Sequence, residues 1–184
     1  MRGLYALFSF LKANKFGTFL LYSRMIQAIT QTNLTTYLQT EDNRIDTSVS
    51  SDKIRHLVKF TNDMDKSVQY AYSTEHLIYD RYTKFVFDYN ERITDVYTGK
   101  IDFTPSGYYK YEVYEVAWSG AVAISAGNAP VTEDDVLPVG PTHGVVQGLV
   151  TKGKMYVADK SGTEQVKYTQ RQEPSGTNYI YYGQ

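Results

Sequence analysis

Residues 107–117, GYYKYEVYEVA, alternate with a period of two along their whole length, which marks a half-buried β-strand. A turn signal, Thr104-Pro105-Ser106-Gly107, precedes them. Tyr109, Tyr111 and Val113 share one face, suited to a core. Tyr108, Lys110, Glu112 and Tyr114 share the other. That second face carries charges of both signs and two rings, so it suits solvent or a partner. Nothing in the stretch is a nucleophile, a set of metal ligands or a phosphate loop.

Further strands follow from the same logic. Residues 54–61 place Ile54, His56, Val58 and Phe60 on one face. His56, alone among apolar neighbours, is predicted to be a hydrogen-bonded core or edge histidine rather than a ligand. The polar turn 61–66 leads into a return strand with Val68, Tyr70 and Tyr72, giving a hairpin. Residues 73–81 read as a connection, and 82–89 as a strand with Phe85, Phe87 and Tyr89 on one face. Residues 90–106 read as a polar connection. Residues 145–159 read as a hairpin: Val145 to Val150, a turn at Thr151-Lys152-Gly153-Lys154, then Met155 to Ala158. A last strand is expected through Val166 and Tyr168. Strands at hairpin spacing without a βαβ rhythm predict an all-β fold, an antiparallel β-sandwich of Ig-like type or a small barrel, with extended N- and C-terminal segments.

The remaining segments are read by composition. Residues 1–24 hold half of the phenylalanines and no acidic residue, since the first acid of the chain is Glu41. They are expected to be translated upstream sequence, with Met25 as the start. A short helix running on through Leu21, Met25 and Ile29 is the alternative. Residues 25–53 are expected to be a polar arm, irregular or weakly paired over 30–53, and 54–160 the domain. Residues 126–144 hold three of the five prolines around Glu133, Asp134 and Asp135 and read as a long exposed loop. The acidic triplet is a candidate for a cation or a basic partner, against the plainer reading of a solvated tip. The tail 161–184 ends in Tyr179, Ile180, Tyr181 and Tyr182, an apolar aromatic terminus expected to dock on a neighbour.

Composition narrows the function classes. The chain has 184 residues and a net charge of −1, which gives no sign of nucleic-acid binding. It has no cysteine, so disulfides and thiolate metal sites are excluded. Its 18 tyrosines suit a sheet whose rings sit half exposed. The sequence has no G-x-S-x-G, no phosphate-binding glycine loop and no H-E-x-x-H. Glu112 and Glu115 point to opposite faces of a strand and make no carboxylate pair. No catalytic residue, cofactor, metal or membrane association is expected.

Four ordered motifs carry a resemblance. They are His56 to Asp63 (HLVKFTND), Tyr79 to Phe85 (YDRYTKF), Gly107 to Glu115 (GYYKYEVYE) and Leu149 to Val157 (LVTKGKMYV). Together they resemble a family of small β-rich virion structural proteins of tailed bacteriophages from marine and gut bacteria. Thr83 and Lys152 depart from that pattern, which has an asparagine and an acid there. The resemblance implies a structural component at the capsid surface, neck or tail. Such a protein assembles in the bacterial host cytoplasm with other virion proteins and copies of itself. A carbohydrate- or host-surface-binding module, using Tyr108, Tyr114 and the acidic loop on a glycan, is the second reading. An enzyme using distant carboxylates is the third, and no feature selects the pair.

Overall fold

The computed structural model describes residues 25–79, 82–91 and 94–161. Among the described residues nine strands run in chain order: β1 (Ile26–Ile29), β2 (Leu34–Leu38), β3 (Ile54–Asn62), β4 (Val68–Tyr72), β5 (Glu75–Ile78), β6 (Thr83–Tyr89), β7 (Lys100–Ile101), β8 (Gly107–Ala117) and β9 (Val145–Ala158). They form two packed sheets. The larger has the order β1-β9-β8-β3-β4, and the smaller has β2-β6-β5 with β7 extending β6. The chain is therefore an all-β sandwich, and neither sheet closes into a barrel among the described residues. Antiparallel pairing dominates, but β1 lies parallel to β9 and β7 parallel to β6, so both sheets are mixed.

The alternation in 107–117 produces the centre of the larger sheet. Tyr109, Tyr111 and Val113 are buried against the smaller sheet. Val58 and Phe60 of β3, Met155 and Val157 of β9, and Phe85 and Phe87 of β6 complete this inner core. Phe60 meets Phe87 and Phe103 edge to face at 5.4 and 5.0 Å, a favoured geometry for aromatic pairs.

Several expectations are corrected. The segment expected as a hairpin is one strand of 14 residues, Val145–Ala158. Lys152 and Gly153, expected at a turn, pair instead with Glu112 and Tyr111 of β8. Gly153 is a glycine for another reason: a Cβ there would lie 2.5 Å from the Tyr111 hydroxyl. The register between β8 and β9 shifts twice, leaving Val150 and Gln147 as extra residues on β9. The segment 30–53, expected to be irregular or weakly paired, supplies β2 over Leu34–Leu38, and the connection 73–81 supplies β5. The helix considered through Met25 and Ile29 is replaced by β1, whose four residues pair with Met155 to Ala158. The expectations for 1–24, for a strand through Val166 and Tyr168, and for Tyr179, Tyr181 and Tyr182 lie outside the described residues. Among the described residues no helix is long and apolar enough to cross a membrane.

Candidate functional site

The outer face of the larger sheet is the surface that residues 107–117 left open to solvent or a partner. Residues 118–135 cover the part of it around Leu57, Tyr72 and Val116. Leu57 of β3, Tyr72 of β4 and Val116 of β8 point outward and pack with Trp118 and Ala129 in a second apolar cluster. Trp118 is fully buried there. Gly144 lets the chain pass: a Cβ would lie 2.6 Å from the Trp118 ring.

Specific bonds fix the base of the loop. The Trp118 amide donates to the Lys53 carbonyl at 3.1 Å, and the Gly144 amide to the Asn128 carbonyl at 2.8 Å. The Tyr72 hydroxyl donates to the Pro130 carbonyl at 2.8 Å. Burial raises the Tyr72 phenol far above its ordinary range, so this donor keeps its proton. Glu133 accepts hydrogen bonds from the Lys59 ammonium and the Tyr70 hydroxyl. Partial burial alone would raise the Glu133 carboxyl. The two donors outweigh it, and the carboxyl ends below its ordinary value. Lys59 is raised in turn, chiefly by its bond to Glu133. Burial and the same carboxylate push the Tyr70 phenol up to about 12.

The acidic triplet therefore does not converge. Glu133 turns inward to Lys59. Asp135 accepts from the amides of Val131 and Thr132 at 2.7 and 3.1 Å, closing its own turn. Asp134 is exposed. Among the described residues no group of three or more His, Asp or Glu side chains is placed to hold a metal ion. Beyond this base the loop changes character. Val136 and Val139 stand at 95% and 103% exposure, at the tip of a segment tied back by a 2.9 Å bond from the Gly120 amide to the Pro141 carbonyl. Residues 126–144 were expected to be a long exposed loop; Ala129, Pro130 and Gly144 are buried, while Ala126, Gly127, Asp134 and the tip are exposed.

The two tyrosines expected to form one outer face are separated. Tyr108 is 55% exposed and lies 5.1 Å from the ring of Tyr156 on β9. Tyr114 packs into the cluster under the loop. Six strand positions part them, about 20 Å at the usual rise. They form no single flat patch.

Three further features escaped the reading of the sequence. Glu115 is buried, and its carboxylate accepts from the amides of Ile45 and Asp46 at 2.9 and 2.8 Å, pinning the 44–49 connection to the end of the sandwich. His56 is a buried, hydrogen-bonded core histidine as predicted, but its partner was unforeseen: His76 of β5, at 2.8 Å across the two sheets. The third is an aromatic ledge on the smaller sheet. Tyr37 meets Tyr82 edge to face at 5.4 Å, and Tyr82 lies 4.8 Å from Tyr79. The only sequence signal for it was the high tyrosine count.

Comparison with known proteins gives no match to a family model, to a curated protein or to a solved structure.

Proposed function

We propose that this chain is a non-catalytic structural component of a tailed-bacteriophage virion and acts through protein–protein assembly. The observation that carries the reading is the loop 118–144, whose bonded base presents two fully exposed valines. A well-anchored apolar tip suits a contact that loses little entropy when a neighbour covers it. The four motifs that resemble phage virion proteins fall mainly on β3, β6, β8 and β9, the strands that build the sandwich. A cysteine-free sandwich repeated in a ring or lattice can make many modest contacts that hold collectively.

Mass spectrometry of purified particles of the encoding phage, with a protease other than trypsin, tests this. Peptides from this chain are expected: at high copy for a capsid-surface protein, at low copy for a neck or tail ring. Abundance in infected cells with absence from particles would overturn the proposal. A Val136→Asp, Val139→Asp double variant should keep its fold by circular dichroism and lose incorporation into particles.

A further inference from the structure

The two sheets part along one edge, where β2 of the smaller sheet stands beside β1 and β9 of the larger. A cleft of about 830 Å³ opens there. Its size lies within the range typical of small-molecule sites. The Tyr111 side chain and Gly153 lie at its floor, and the close approach of Tyr111 to Gly153 leaves no space for a β-carbon there. Tyr37 and Tyr82 stand at its rim, 58% and 40% exposed.

The chemistry of the lining selects a ligand class. It contains no carboxylate, and its one charged residue, Lys152, pairs with Glu112 and so turns its side chain to the outer face of the larger sheet. Phosphate-bearing ligands call for convergent arginines or several cations, and cationic ligands call for acids. Neither set is present in the lining. A purely apolar ligand would leave Asn43 and Thr151 without water or partners where it covered them. What fits is a ligand with flat apolar faces for rings and hydroxyls for amide and hydroxyl groups. The rings are already held in place by their mutual contacts, so little rotamer entropy remains to be lost on binding.

We propose that this cleft binds a short neutral oligosaccharide. Tyr37 and Tyr82 are its stacking platform, and Asn43 and Thr151 are its hydrogen-bonding partners. The site is distinct from Tyr108 and Tyr114, and it does not rest on the virion role. A chain missing from particles would end that role and leave this site standing.

The test is saturation-transfer NMR on the full chain with maltotetraose, cellotetraose, chitotetraose and mannotetraose as probes. At least one is expected to bind, with a Kd on the order of 1 mM. Tyr37→Ala and Tyr82→Ala should each weaken that binding about tenfold, the loss expected when one stacking ring is removed. Tyr108→Ala should leave it unchanged. Asn43→Ala, at an exposed position, and Thr151→Ala provide a second route if a tyrosine variant fails to fold, and both should weaken binding. No binding by any probe at about 10 mM would overturn the proposal. Equal binding by folded variants of the rim would overturn it too.

Discussion

The molecule has two apolar clusters that differ in kind. The inner one lies between the sheets and is built by strands from both. The outer one lies on a single sheet and is roofed by an irregular loop. Removing the roof would leave the larger sheet paired, whereas loosening the inner core would separate the two layers. The contrast teaches that stability and presentation are divided here: the inner cluster holds the fold, and the outer one holds a loop in position.

The sharpest way to break that contrast is to damage the inner core. Phe60→Ala removes a fully buried ring from the centre of the aromatic contacts and should cost about 4 kcal/mol, read as a global loss in denaturant unfolding.

Acid should strain the same interface next. Burial, and then the charge of Arg55, pushes the His76 imidazole down to about 4 from an ordinary 6.5. His56 is held well below its ordinary value by burial first, then by His76 and Arg55. Both rings are neutral when folded, one nitrogen donating and the other accepting. The unfolded chain binds protons that the folded chain does not, so stability is complete above about pH 6.5 and falls as pH drops toward 4. His76 alone accounts for up to about 3 kcal/mol of that loss. A His76→Leu variant should flatten the profile between those limits in pH-dependent denaturant titrations.

Damage to the outer cluster should be smaller and local. Tyr72→Phe deletes the hydroxyl bond to Pro130 and should cost about 1 kcal/mol. Amide exchange should quicken around 129–132 and stay slow in β8. Glu133→Gln should cost less, below about 1 kcal/mol, because the ion pair with Lys59 is partly exposed. Equal acceleration of exchange in β8 and in the loop would erase the distinction between the two clusters.

The same division separates what was legible in the sequence from what was not. Strict alternation in β8 and in most of β3 placed Tyr109, Val113, Val58 and Phe60 correctly, because a strand's side-chain period is a local property. The face of β4 carrying Tyr70 and Tyr72 was found, but its burial under a loop was not, since nothing local says where a loop settles. Gly153 between two lysines looks like a turn until Tyr111 is seen against it. Glu115 reads as an ordinary strand carboxylate until the amides of Ile45 and Asp46 converge on it from 70 and 69 positions away. His76 stood in a segment read as a connection. Tyr37 and Tyr82 come from segments far apart in the chain, so only tertiary pairing brings them to one ledge.

The parallel pairing of β1 with β9 has a mechanical meaning. Strand β1 lies near the beginning of the described chain and β9 near its end, and they run side by side over four registered pairs. A pull on residue 25 and an opposite pull on residue 161 would act along both strands. The load falls on their hydrogen bonds in shear, so the bonds must give way together rather than one after another. Tension entering through the two flanking segments would therefore meet a clamp at the sheet edge first.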